Sequence, residues 1–178
     1  MRNFVLFMFI SGLLSALVGC DAVDELTKFD IDYESSVTVP ATIGINSPLV
    51  ISTPAITTNS SSTFENNNTR ADLIESIKLK SMTLTLTSPN GEDFSFLENI
   101  SLSISADGLS DKVIAGKTTI SASAISIDLD VDDVELKEFL KKDKFTIKAS
   151  ATTDEVITSD HVIGVKSTFR VDAKIFGV

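Results

Sequence analysis

The densest set of side chains that could do chemistry is the acidic run SIDLDVDDVELKE, from Ser126 to Glu138. Asp128, Asp130 and Asp132 have the first three ligand spacings of a calcium loop, and hard cations favour such carboxylate oxygens. The pattern then breaks off: Asp133 stands where the loop needs Gly, and Phe139 where it needs a bidentate Glu. Alternation accounts for the same residues without a metal. Asp128 and Asp130 would point to solvent from a strand, and Asp132 would cap a helix with Glu135 as its reciprocal partner. The expectation is therefore no metal and no cofactor, with Asp128, Asp130 and Asp132 as weak candidates.

His161 is the only histidine, so a multi-histidine zinc site is impossible. Asp154 and Asp160 are near it in sequence, but no nucleophile elbow of the Gly-x-Ser-x-Gly type accompanies them, and a turn histidine is the simpler reading. Neither Gly44 nor Gly91 begins a phosphate-binding loop. Paired carboxylates could serve glycoside hydrolysis in any acidic chain. Here Trp is absent and Tyr33 is the single Tyr, which removes the usual sugar-stacking platforms. No enzyme is expected. A formal charge of −10 argues against nucleic acid as a partner, because phosphate binding needs clustered Lys and Arg.

The elements that would position these residues are mostly strands. Phe29, Ile31 and Tyr33 alternate with Asp30, Asp32 and Glu34, and Val37 and Val39 continue the apolar face. Ser47 to Ile56 is extended, with Pro48 and Pro54 confining it to a sheet edge or an irregular crossing. Thr57 to Thr69 reads as a loop, and Thr69 to Asp72 as the cap of a helical turn carrying Leu73, Ile74 and Ile77. Apolar parity then switches from Ile77 and Leu79 to Met82, Leu84 and Leu86, which predicts a bulge near Lys80-Ser81.

Ser88-Pro89-Asn90-Gly91 marks a turn, after which Phe94, Phe96 and Leu97 should tuck over the core. Ile100, Leu102 and Ile104 alternate with serines, Lys112 to Ile120 is a weaker strand, and Ile125, Ile127, Leu129 and Val131 alternate again. One helix is expected over 133–142, with Val131 and Leu136 as its hydrophobic staple and Lys141 and Lys142 in its last turn. The last part reads as a long hairpin. Phe145, Ile147, Ala149 and Ala151 face inward on one arm; Val165, Phe169, Val171, Ala173 and Ile175 do so on the other.

These elements predict an all-β fold: a two-sheet antiparallel β-sandwich of seven to eight strands with one short helix near 133–142. The pattern loosely resembles immunoglobulin-like and LEA14-like sandwiches and small uncharacterised lipid-anchored β proteins, a likeness that carries no activity with it.

Residues 1–19 have the layout of a secretory signal peptide: Arg2, an apolar core from Phe4 to Leu17, then small residues. That core is shorter than the roughly 20 residues of a spanning helix. Leu17-Val18-Gly19-Cys20 resembles the lipobox of bacterial lipoproteins at all four positions. The resemblance implies that Cys20, the only cysteine, becomes a lipidated N-terminus. It would carry a diacylglycerol thioether and, usually, an amide-linked fatty acid such as palmitate. At about 0.8 kcal/mol per buried methylene, two or three chains hold a protein to a bilayer almost permanently.

Residues 20–28 would then be an acidic tether. Asp21, Asp24 and Glu25 resemble a loose surface-export signal, Asp21 directly after Cys20 resembles an inner-membrane retention signal, and a solvated linker needs neither. Residues 29–178 would form a single domain. The expected function is a lipid-anchored outer-membrane or cell-surface lipoprotein, exported to the cell envelope. It would act as a non-enzymatic interaction or structural accessory module, with a protein partner met through a sheet edge or loop set. The segments Ser47 to Ile56 and Thr57 to Thr69 are the favoured surface. The alternative is a surface lipoprotein that binds a small ligand, a glycan or a cation, which predicts a concave apolar pocket or converging carboxylates.

Overall fold

The computed structural model describes residues 27–41, 44, 46 and 48–174. The signal peptide, Cys20, the tether up to residue 26, and Ile175 lie outside them. The strands are β1 (Lys28–Val39), β2 (Pro48–Ser52), β3 (Ile56–Thr57), β4 (Ile74–Ser88), β5 (Leu97–Ser105), β6 (Lys112–Lys117), β7 (Ser126–Asp128), β8 (Asp130–Val131), β9 (Lys144–Thr153) and β10 (His161–Ala173). Two short helices join them, α1 (Ser60–Asn66) and α2 (Lys137–Leu140), with a 3-10 turn at Phe94–Phe96. A four-stranded sheet has the order β1-β10-β4-β7. A six-stranded sheet has the order β2-β9-β5-β6-β8, with β3 also paired to β9. All pairings are antiparallel. The protein is a two-sheet β-sandwich, and only β3 and β8 fall below three residues.

Alternation builds the core. The inward rows of β1, β4 and β10 in one sheet, and of β5 and β9 in the other, bury Ile31, Leu84, Phe169, Ile104 and Phe145 among others. Phe145, Phe169 and the ring of Tyr33 meet edge to face, with centroids 5.2 to 6.0 Å apart. A cavity of about 20 Å³ lies between the sheets, lined by residues such as Val37, Ile51, Leu102 and Val165. That is room for about one water molecule.

The parity switch in β4 is a bulge where it was expected. Thr168 pairs with Ser81 and Phe169 with Leu79, so Lys80 is the extra residue that keeps both apolar halves facing inward. Phe94, Phe96 and Leu97 are buried as anticipated.

Other expectations need correcting. The two arms of the predicted hairpin, β9 and β10, have the expected inward rows but belong to different sheets, so 154–160 is an arch between layers. The expected single strand from Ile125 to Val131 likewise divides. β7 pairs with β4, and β8 pairs with β6 in the opposite sheet. Leu129 makes the crossing, its N–H donating to the Met82 carbonyl at 2.9 Å. Val131 is consequently exposed on β8 and cannot serve as a buried staple, and Ile125, before β7, is 62% exposed.

The stretch read as a loop at 57–69 contains α1, which seats Phe64 in the core. The stretch read as a helical turn at 69–77 is instead a turn entering β4, closed by Leu73 N–H to the Arg70 carbonyl at 2.9 Å. The helix expected over 133–142 is reduced to α2, whose N-cap residue is Leu136 with no side-chain cap. Glu135 acts from one residue further out: its Oε1 accepts the N–H groups of Lys137 at 2.8 Å and Ile77 at 3.0 Å. One carboxylate thus serves the start of α2 and a backbone donor of β4, which a capping box within one segment does not anticipate.

Candidate functional site

The acidic run is divided by the fold. Asp128, on β7, accepts from the Thr83 hydroxyl at 2.7 Å, on the outer face of the four-stranded sheet. Asp130, on β8 in the other sheet, pairs with Lys117 at 3.0 Å. Asp132 follows β8, its N–H bound to the Ile114 carbonyl. Because the chain changes sheets between Asp128 and Asp130, the calcium-loop spacing is not carried onto one ring of ligands. Among the described residues, no group of three or more His, Cys, Asp or Glu is arranged to hold a metal ion.

His161 is not a turn residue but the buried first residue of β10, 4% exposed. Its ring meets Phe96 edge-on at 4.8 Å, and Nδ1 donates to the Ser159 carbonyl at 2.7 Å. Asp160 turns to another task, accepting the Ala41 N–H at 2.7 Å. Asp154 donates its backbone N–H to the Phe96 carbonyl. The three residues close the arch and leave no shared proton path on display.

The outer face of the four-stranded sheet carries a charge network. Asp30 takes Lys80 on one oxygen and Arg170 on the other, each at 2.6 Å. The bulge presents Lys80 for this contact. Partial desolvation opposes ionisation of Asp30, but the hydrogen bonds from Lys80 and Arg170 outweigh it and hold the carboxyl below its ordinary value. Asp32 accepts from Thr168 at 2.6 Å, and Glu34 faces Lys166 at 3.5 Å.

Beneath this face the Tyr33 hydroxyl donates to the Thr58 carbonyl at 2.9 Å, and burial pushes its pKa up to about 12. Asp30 stays ionised and Tyr33 neutral at physiological pH, which suits both to fixed structural bonds rather than to proton transfer.

The favoured segment from Ser47 to Ile56 does form a sheet edge. β2 ends the six-stranded sheet, and its Val50 is 72% exposed. At Pro54, which lacks an N–H, Thr53 bridges the gap: its own N–H donates to the Ile147 carbonyl and its hydroxyl accepts the Ile147 N–H. An open hollow of about 310 Å³ lies over Thr57, Thr58, Asn59, Ser60, Ser61, Ser62 and Asp143. A second, of about 330 Å³, lies over β6 beside Lys117, Asp130 and Asp132.

Sequence reasoning missed the roles of Thr53 and Thr58, two buried hydroxyls. Thr53 stands directly before Pro54, and a threonine beside a strand proline was a usable signal. Nothing local pointed to Thr58, whose hydroxyl reaches the carbonyl of Lys142, 84 residues along the chain, at 2.6 Å.

No family model matches the sequence, and no curated protein matches it. Solved structures similar to this chain include the Cyanophage Pam1 capsid asymmetric unit, at 11% identity and TM-score 0.40, covering 81% of this chain and 86% of that one. The decameric BFDV capsid protein is similar at 8% identity and TM-score 0.42, covering 83% and 98%. Turnip yellow mosaic virus is similar at 11% identity and TM-score 0.27, covering 84% and 98%. At these values the overlap carries nothing over to this chain, and function is argued from its own residues.

Proposed function

We propose that the protein is a lipid-anchored, non-enzymatic interaction or structural accessory module of a cell envelope. Cys20 holds it to a membrane and the sandwich makes protein contacts. The observation that carries the interaction half is the filled interior. A pocket for a small molecule encloses roughly 300–1,000 Å³, whereas the cavity between the two sheets holds about 20 Å³ and the hollows of about 310 and 330 Å³ lie open on the surface. Surface is what such a domain has to offer. The anchoring half rests on Leu17-Val18-Gly19-Cys20. Among the described residues no helix is long and apolar enough to cross a membrane. Tethering concentrates the domain near its partners without any new contact.

Two experiments test the reading. Cys20→Ala should abolish acyl labelling and move the protein out of the membrane fraction, with its circular dichroism unchanged; a variant that stays membrane-bound ends the anchoring claim. Crosslinking in intact cells, followed by co-purification, should return a reproducible envelope protein. Recovery of the chain alone, from cells in which it is abundant, argues for the ligand-binding alternative.

A further inference from the structure

A β-sandwich has four open sheet edges, and here they are not alike. Among the described residues, β7 and β8 end their sheets with three and two residues, and β2 ends its sheet with five, bracketed by Pro48 and Pro54. These are short or interrupted edges, the usual protection against unwanted pairing. β1 is different. It runs for 12 residues at the end of the four-stranded sheet, without proline. It pairs with β10 in unbroken register from Lys28 opposite Asp172 to Val39 opposite His161. Among the described residues β10 is the only strand paired with it.

The ladder tells which backbone groups face outward. The N–H of Ala173 donates to the carbonyl of Thr27, the residue before β1, and in the same odd-numbered register the Tyr33 carbonyl turns toward β10, where it accepts the Ser167 side-chain hydroxyl at 3.4 Å. Odd-numbered residues of β1 therefore bond toward β10. In an antiparallel pair the alternate residues turn their N–H and C=O groups away, so Asp30, Asp32, Glu34, Ser36 and Thr38 present theirs to the open edge. The same residues carry their side chains on the outer face, with Glu34 74% exposed.

On the β10 side this row meets Arg170, Thr168 and Lys166 in register. A strand on the other side would meet the same carboxylates. Self-pairing of two β1 edges centred on Tyr33 would set acid against acid at Asp32 and Glu34, which is destabilising.

We propose that the β1 edge, from Asp30 to Thr38, takes an extended segment of a different protein as an added strand. That segment alternates Lys or Arg with apolar residues. Its cations stand opposite Asp32 and Glu34, since Asp30 is already held on both oxygens by Lys80 and Arg170, and its apolar side chains lie beside Ile31, Tyr33 and Val37 at the margin of the core. Main-chain bonds supply affinity and the alternate side chains supply selection. This deepens the interaction reading above and does not depend on the anchor.

The test uses the full chain in detergent micelles, with two synthetic peptides long enough to span Asp30 to Thr38, one alternating Lys with Val and one alternating Glu with Val. The Lys peptide should slow hydrogen exchange at the amides of Asp32, Glu34 and Ser36. It should also bind about tenfold more tightly than the Glu peptide at low salt, as two cross-strand pairs would give, with the margin shrinking as salt rises. Glu34→Pro removes one outward N–H and the exposed ion pair with Lys166 but no backbone bond to β10, and should abolish the protection. Asp32→Lys with Glu34→Lys should reverse the peptide preference, a readout that stands even if the proline variant fails to fold. Protection elsewhere, an unchanged preference in the double variant, or self-association through β1 overturns the proposal. Crosslinking in cells separates the two claims. Undiminished partner capture by folded Glu34→Pro removes the β1 site and leaves the interaction reading standing, while no capture by the wild type removes the interaction reading itself.

Discussion

The two sheets share one core and differ in what chiefly holds the rest of them. The four-stranded sheet is built on β1, β10 and β4, of 12, 13 and 15 residues. Its outer face is tied by charge, with Asp30 between Lys80 and Arg170, and Lys78 paired with Asp133. The six-stranded sheet has shorter strands and fewer charges on its outer face, where Ser101 is opposite Ser150 and Ser105 opposite Thr146, beside the pairs Lys148–Asp111 and Lys117–Asp130. Its costly polar groups are inside, where the Thr53 hydroxyl accepts the Ile147 N–H and Thr58 reaches the carbonyls of Lys142 and Asp143. Exposed ion pairs contribute at most about 1 kcal/mol, whereas leaving a buried donor unpaired costs about 1–3 kcal/mol. The sheet with the fewer charges should therefore be the more sensitive to loss of a polar side chain.

Substitutions at several depths would tell the two sheets apart. The largest effect belongs to the core that the sheets share. Phe169→Ala and Phe145→Ala should each lose about 3–5 kcal/mol in denaturant unfolding, and a much smaller loss for one would show that the sheets do not depend equally on the interface. Next is Thr53→Val, which keeps the shape and removes the acceptor for Ile147. It should cost about 1–3 kcal/mol, and a change no larger than that of Asp30→Asn would undo the contrast between the sheets.

Tyr33 links the sheets and adds a pH signature. Its folded pKa is raised from 10.0 to about 12, so the neutral hydroxyl stabilises the fold fully below pH 10 and that contribution is lost as pH rises toward 12. Tyr33→Phe should remove this alkaline slope from melting curves and cost about 1 kcal/mol at neutral pH through the lost bond to Thr58.

The smallest effect should be at Asp30, 32% exposed on its side chain. Its folded pKa is lowered, so its contribution is present above the ordinary carboxylate value of 3.8 and is lost as pH falls through the folded value. Asp30→Asn should cost less than about 1 kcal/mol, less again at high salt, and should flatten stability below pH 3.8.

How much of this was legible depended on whether a feature was local. The inward rows of β1, β9 and β10 and the bulge at Lys80 were readable because strand parity is a two-residue property of the chain itself. The bulge shows that most clearly: Leu79 and Met82 can both be inward only if the pairing slips between them. The hairpin reading of β9 and β10 failed because both arms have the same inward pattern whether they lie in one sheet or in two. Ile125 to Val131 failed for the same reason. α1 was missed because a single buried Phe64 in a polar segment is no periodicity at all. Of the candidate site residues, Asp128, Asp130 and Asp132 have a metal-like spacing in one dimension, which the sheet change at Leu129 separates. His161 follows turn-like residues in the chain, and only the fold brings Phe96 against its ring.

Alternation and contiguous motifs alone were enough to specify an all-β sandwich, the inward rows of β1, β9 and β10, the slip in the β4 ladder at Lys80, and the resemblance of Leu17-Val18-Gly19-Cys20 to a lipobox. Only the tertiary structure decided which strand joins which sheet, that Glu135 serves both α2 and β4, and that Asp30 lies between Lys80 and Arg170. It also decided that β1, rather than the proline-bracketed β2, is the long uninterrupted edge. Those properties depend on partners distant in the chain, and a strand's own alternation is the same whichever neighbour it takes.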